Sequence, residues 1–365
     1  MHNKKYKNRV QFLINRAKKL ERIHRRWIRN RTLRNKRLVG LNHIQRDKIH
    51  THDRFKDYTW LTPPKNFSLI NNAEECVHFI NKLEHCFNNR KKVFVNLSEV
   101  TFLGHGALIV LLSKILRFKA NNIDFNGSMP VNPYCNALLR CSGFFKELYS
   151  KGYRSLDNYK HTQQNFFTHT KKTVDQALSY ELIKSMSKLI WGVECRCPRL
   201  QEVFIELMQN TNNHASFEGH GKQHWWTTAS YDKERQTGCF SFIDYGVGIL
   251  SSLKEDASNK FFKPFKEFIN LFKPQNNAET LKLIMQGELH KTASKKSYRG
   301  KGLPGIYKAY CTNKISHLVV ITNDTLLNFD DGTFLNLKSS FSGTFVYWEL
   351  TPSNHHIEQD GNLYS

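Results

Sequence analysis

Three short stretches in the second half of the chain place chemistry-bearing residues at regular intervals. In PRLQEVFIELMQNTNNH, Glu206, Asn210 and His214 recur every fourth residue, which puts them on one face of a helix. A carboxylate one turn from an amide suits water activation beside a magnesium ion that draws its remaining oxygen ligands from phosphates and water. The residues around them, Val203, Phe204, Leu207 and Met208, are apolar, so the helix is expected to be packed with its polar stripe facing a cleft. Polar residues spaced by four also mark an ordinary solvent face. The second stretch, Asp244-Tyr245-Gly246-Val247-Gly248, follows the strand-like run CFSFI. A carboxylate at a strand end can accept a hydrogen bond from an exocyclic amine, and the glycines let a planar ring approach the backbone. The same pattern also makes plain turns. The third, Arg299-Gly300-Lys301-Gly302-Leu303-Pro304-Gly305, runs into the helical sequence IYKAYC. Backbone N–H groups of a glycine-rich turn at a helix N-terminus form an anion cradle suited to a di- or triphosphate, with a surface loop as the plain alternative.

The order of these elements is more specific than any one of them. An E-x-x-x-N helix, then D-x-G-x-G, then a long polar segment, then the glycine turn, then Gly343-Thr344 opening a strand, resembles the nucleotide site of the GHKL superfamily over about residues 170 to 352. That superfamily includes gyrase B, the heat-shock-ninety chaperones, histidine kinases and MutL. The resemblance implies ATP and Mg2+ as ligands, with Glu206 as the general base that orients the attacking water and Asn210 as the magnesium ligand. It implies that Asp244 reads the adenine amino group and that Gly246 and Gly248 form the adenine-side turn. Arg299, Gly300, Lys301, Gly302 and Gly305 would form the phosphate loop, with residues 250 to 298 as the ATP lid. Thr344 would be the polar residue near the base, and His214 joins the nucleotide-binding set. Pro304 departs from the commoner leucine-rich turn and removes one donor without abolishing the cradle.

The spacing of Glu206, Asn210 and His214 is closest to the anti-sigma-factor serine kinases, which act on STAS-domain proteins. In this chain VFVNLSEVTFLGHGALIVLLSKIL, followed by CNALLRCSGFFKELY, itself resembles a STAS domain. Switchable members of that family carry a phosphorylatable hydroxyl at the start of the central helix, where this chain has Gly104-His105-Gly106-Ala107. Docking or dimerisation is therefore the expected role of this part.

The elements that must position these residues follow from periodicity. Helices are expected in EECVHFINKLEHCF, ALIVLLSKILRF, NPYCNALLRCSGFFKELY (stopped by Gly143), VDQALSYELIKSMSKLIWG and PRLQEVFIELMQNTNNHAS. Strands are expected in KVFVNL, NIDFNGS, the hairpin QHWWTTASYD and TGCFSFIDYG, and three C-terminal runs, ISHLVVITND, TFLNLKS and GTFVYWELT. Residues 151 to 170 read as a connector, and Thr62-Pro63-Pro64 as a domain boundary.

The net charge of +24 is uneven: residues 1 to 50 hold 17 Lys or Arg against Glu21 and Asp47. From Phe12 to Leu38 there is no Gly or Pro, and Leu13, Ala17, Leu20, Ile23 and Trp27 follow helical spacing among arginines. A basic amphipathic arm is expected, with nucleic acid, a solvated face packed on the body, or an anionic membrane surface or protein groove as its alternatives. Trp27, Tyr6 and Phe12 offer stacking surfaces. Hydrophobic residues at 39% exclude full disorder. The eight cysteines lack a zinc-finger ladder, so free thiols are expected, and Cys195-Arg196-Cys197 and His50-Thr51-His52-Asp53 read as loop and linker residues. No leader and no membrane span are expected.

The resulting expectation is an α/β protein in three parts with a short tail: a basic helical arm (1–55), a small STAS-like α/β domain (60–155), a C-terminal GHKL (Bergerat) α/β sandwich (170–352), and a tail (353–365). It implies a cytoplasmic, bacterial or phage-related ATPase switch with nucleic acid and a protein as partners, and the family resemblance implies a homodimer. Two alternatives stand beside it: a protein serine/threonine kinase of the anti-sigma type, and a nucleotide-gated nucleic-acid-binding component of a larger defence machine.

Overall fold

The computed structural model describes residues 54–142, 144–148, 166–171, 174–214, 225–254, 262–289 and 302–355. The chain divides into two compact units, Met1–Tyr58 and Thr59–Ser365, and all but residues 54–58 of the described chain belongs to the second. The expected arm, with Tyr6, Phe12 and Trp27, lies outside the described residues, as do His50 to Asp53.

The second unit is mixed α/β. A parallel three-stranded sheet is ordered β1 (Thr59–Leu61), β3 (Val93–Val95), β5 (Phe125–Gly127), and a short parallel pair joins β2 (Asn66–Phe67) to β4 (Phe102–Leu103). Thr62–Pro64 therefore connects two strands of one unit instead of separating domains. Helices α1 (Ala73–Asn88) and α2 (His105–Ala120) pack with this sheet, followed by α3 (Pro133–Cys141) and α4 (Phe144–Leu148). The helix expected to stop at Gly143 ends at Cys141, and α4 follows as a separate short helix.

Along α1, Cys76, Val77, Ile80 and Leu83 form a buried stripe at three-and-four spacing. In α2 every residue from Gly106 to Ile115 is buried, as expected of a helix apolar on all sides.

The second sheet is antiparallel and ordered β6 (Phe166–Lys171), β7 (Trp225–Asp232), β8 (Thr237–Asp244), β10 (Thr333–Leu350), β9 (Ser316–Asn328). Here β6 occupies part of the expected connector and pairs with β7. The two last expected strands are one, because β10 runs continuously through Ser339–Gly343 with register shifts against β9. The ladder absorbs the apparent turn residues as bulges.

Both faces of this sheet are apolar, and the alternation sorts them. Trp225, Phe240, Phe242, Val320, Val346 and Trp348 pack with α5 (Gln176–Trp191), α6 (Pro198–His214) and α10 (Gly302–Cys311). Trp226, Ile243, Val319, Ile321, Phe345 and Tyr347 pack with α1 and α2 on the opposite face. A Cβ at Gly106 would lie 2.6 Å from the Phe345 ring, so glycine sets the closest approach of α2 to the sheet. The layers thus run parallel sheet, α1 and α2, antiparallel sheet, outer helices. No helix among the described residues is long and apolar enough to cross a membrane.

Between β8 and β9 lie α7 (Ile249–Lys254), α8 (Phe262–Phe272) and α9 (Asn277–Met285). Phe265, Phe268, Leu281, Ile284 and Met285 are core residues, and Asn277 donates to Asp324 at 2.8 Å. This portion of the expected lid is therefore built into the sandwich. All eight cysteines are free thiols, and burial pushes Cys76 up to about 12.

Candidate functional site

Residue 244 ends β8 on the face that carries Phe240 and Phe242, the face on which α6 packs. Phe204 of α6 anchors that packing with ring centroids 5.8 Å from Phe240 and 5.0 Å from Trp348. The same helix packs against α10. Glu206 is half-buried on α6 beside the buried Val203, Phe204, Leu207 and Met208. Asn210 and His214 follow one and two turns later on the helix backbone, and their side chains lie outside the described set.

Asp244 is opposite Trp225 in one ladder and opposite Thr344 in the other. Its Oδ1 is buried with no hydrogen-bond partner among the described residues. Burial raises its carboxyl to about 6, because desolvation disfavours the anion and no cation among the described residues compensates. Thr344 is buried beside it, its Oγ1 3.2 Å from Thr322 Oγ1.

The turn after Asp244 is held by two residues absent from the sequence-based site. The Asn323 carboxamide donates to Val247 O at 2.8 Å and to Ser251 Oγ at 2.9 Å, while its Oδ1 accepts from Leu250 N–H at 3.0 Å. It thereby caps α7 from a distant strand, filling the N-cap role that a local side chain ordinarily fills. Thr322 Oγ1 accepts from Ile249 N–H at 3.0 Å and donates to Gly343 O at 2.9 Å. Gly248 has φ of +82°, and a Cβ there would lie 2.6 Å from the Asn323 carboxamide, so the turn needs glycine for both conformation and space. Gly246 sits within the same turn. The available sequence signal was one Asn inside an apolar strand; Asn323 adopts φ of +51°, which Asn tolerates better than most residues.

Arg299, Gly300 and Lys301 lie outside the described residues. Gly302 is the first residue of α10 and Gly305 lies in its first turn. A Cβ at Gly305 would meet nothing within 4 Å among the described residues, so packing against them does not require glycine there. Pro304 also falls in the first turn, where N–H groups have no intrahelical partner, and it therefore leaves the helix intact.

The unsatisfied acceptor on Asp244 fits a buried N–H donor such as a base amine. The open side of Gly305 at a helix start fits an approaching anion. Among the described residues no group of three or more His, Cys, Asp or Glu is placed to hold a metal. A magnesium ion would rest on Asn210 and on oxygens from phosphate and water. Cys195 N–H donates to Ser187 Oγ at 2.9 Å, in keeping with a loop role. No family model matches the chain, and no curated protein matches it.

Proposed function

We propose that this protein binds ATP with magnesium and hydrolyses it slowly, as a regulatory conformational switch of the GHKL type with a STAS-like N-terminal module. The observation that carries the reading is the buried Asp244 Oδ1, an acceptor left open at the end of a central strand. Buried polar atoms are rarely left unpaired, because an unmade hydrogen bond costs about 1–3 kcal/mol. An exocyclic amine of adenine supplies the missing donor. Thr344 borders the same end of the ladder, and the N–H groups at the start of α10 provide the anion-binding end.

In this reading Asp244 fixes the base, Gly302 and Gly305 admit the phosphates, and Asn210 holds the cation. Glu206 orients a water for attack on the terminal phosphate. Magnesium, when bound, neutralises charge on the phosphate oxygens. The reading places the protein in the cytoplasm, as a homodimer with a protein partner, and makes residues 1–50 an arm for nucleic acid.

Titration of the full chain with ATP and with GTP in the presence of magnesium tests the proposal. ATP is expected to bind at least about tenfold more tightly than GTP, matching the loss of one buried charged hydrogen bond. Equal binding of the two would overturn adenine recognition, and binding of neither would overturn the nucleotide site.

A further inference from the structure

Consecutive residues at the end of β8 point to opposite faces of the sheet. Asp244 lies on the α6 face, whereas Tyr245 packs with the cluster containing α1 and α2. There the Tyr245 hydroxyl hydrogen-bonds Ser113 Oγ in the middle of α2. Ser113 donates its one hydrogen to Val110 O at 2.7 Å, so the tyrosine hydroxyl is the donor. The Lys114 ammonium sits 4.3 Å from the centroid of the Tyr245 ring, and Glu84 of α1 binds that same ammonium. Arg117 completes the group, donating to Glu84 Oε2 at 2.7 Å. The contact is deeply set, since Lys114 is 5% exposed and Ser113 7%.

The placement matters because Asp244–Thr344 is the last pair of the β8–β10 ladder and Asp244–Trp225 the last of the β7–β8 ladder. Past that point the chain enters the glycine turn. Tyr245 is thus the first residue past both ladders, and its side chain is anchored on α2 where the turn begins. We infer that Tyr245, held by Ser113 and Lys114 of α2, is a positioning residue for Asp244, so that the N-terminal module forms part of the base-recognition site. A small shift of α2 against the sheet would move Tyr245 and loosen Asp244, which gives the module direct control of nucleotide affinity. The inference rests on the proposed nucleotide reading.

The test is steady-state ATP hydrolysis by the full chain as wild type, Tyr245→Phe, Ser113→Ala and the double variant, with thermal unfolding in parallel. Tyr245→Phe removes the one hydrogen bond of its hydroxyl, whereas Ser113→Ala removes that bond together with the donation to Val110 O, and both keep the packing. Each is expected to raise KM for ATP about three- to tenfold with kcat within about twofold, because base positioning is remote from the attacking water. The double variant is expected to be no worse than the weaker single one, as for two ends of one bond. Inhibition by inorganic tripolyphosphate, which carries no base, is expected to stay unchanged. A fall in kcat at constant KM would mark a structural role only and overturn the inference. So would an unchanged KM in both single variants beside a wild type that turns over ATP, and in that case the nucleotide reading stands. A wild type that neither binds nor hydrolyses ATP would overturn both, and the wild-type arm alone reveals it.

Discussion

Gly343 lies against the backbone of Asp244 so closely that a Cβ at position 343 would fall on the Asp244 carbonyl oxygen. Its φ of +116° is a conformation that residues with a side chain rarely adopt. The residue before Thr344 therefore has to be glycine if β10 is to run alongside the end of β8. Gly343→Ala is expected to destabilise the protein by more than about 2 kcal/mol, through steric overlap and backbone strain together. Gly305→Ala is expected to leave the melting temperature within about 2 °C, since a methyl group there meets none of the described residues, yet to weaken ATP binding. Thermal unfolding and ATP titration of the two variants separate a glycine required by the fold from one required by the ligand.

Two buried carboxylates on this sheet move stability in opposite directions with pH. For Asp244, raised to about 6 by burial, the folded state binds the proton more tightly than the unfolded chain. Its penalty is absent below the unfolded value near 3.8, grows as pH rises to about 6, and is constant above that. For Glu349, burial is outweighed by hydrogen bonds from His317, Tyr347 and Arg235, which hold it at about 2. Its contribution is present above 4.5 and is lost as pH falls toward about 2. Each effect is on the order of 2–3 kcal/mol. Asp244→Asn is expected to be more stable than wild type at pH 8, with the gain vanishing by pH 4, and Glu349→Gln less stable at pH 7. Denaturant unfolding across this range checks both. A pH-independent difference for Asp244→Asn would count against a desolvated carboxylate.

The helices and the order of site elements were legible because each depends on local spacing. Apolar residues at three and four positions specify α1, α5 and α6, and a carboxylate followed by glycines marks the end of β8. Asn323 was not legible, because its function depends on Leu250 N–H and Val247 O, more than 70 residues away. TFLNLKS and GTFVYWELT read as two strands, yet β10 is continuous through them, paired with β9 at Asn336, Phe341 and Thr344. Alternating residues in β7 and β8 indicated a hairpin, whose two faces are both covered in the structure. They could not indicate that α1 and α2 cover one of them, since any apolar helix meets the same requirement.

If Glu206 orients the attacking water, Glu206→Ala is expected to lower hydrolysis by on the order of 10² while ATP binding stays within a few-fold. Single-turnover hydrolysis with bound ATP provides the check. Turnover at the wild-type rate would remove Glu206 from that role.

With 17 basic residues against two acidic ones in positions 1 to 50, the arm is expected to bind polyanions with a steep salt dependence as counterions are released. Because the compact unit holding the candidate site begins at Thr59, deletion of residues 1–50 is expected to abolish this binding and preserve ATP binding. Titration with labelled DNA and RNA oligonucleotides and with anionic vesicles, at two salt concentrations, distinguishes the partners. Equal binding by the full and shortened chains would assign the polyanion affinity to the body of the protein.

The packing of α1 and α2 on the back of the antiparallel sheet also sets the folding cooperativity of the chain. Trp226, Ile243, Val319, Ile321, Phe345 and Tyr347 belong to the same hydrophobic core as Val77, Ile80, Leu108 and Ile115. Neither half can lose the other without exposing a contiguous apolar surface, and such a surface promotes self-association. A fragment limited to residues 170–352 would retain all the candidate nucleotide residues and still aggregate. The whole of Thr59–Ser365 should melt as one transition, making sequence-defined halves of this protein a single thermodynamic unit.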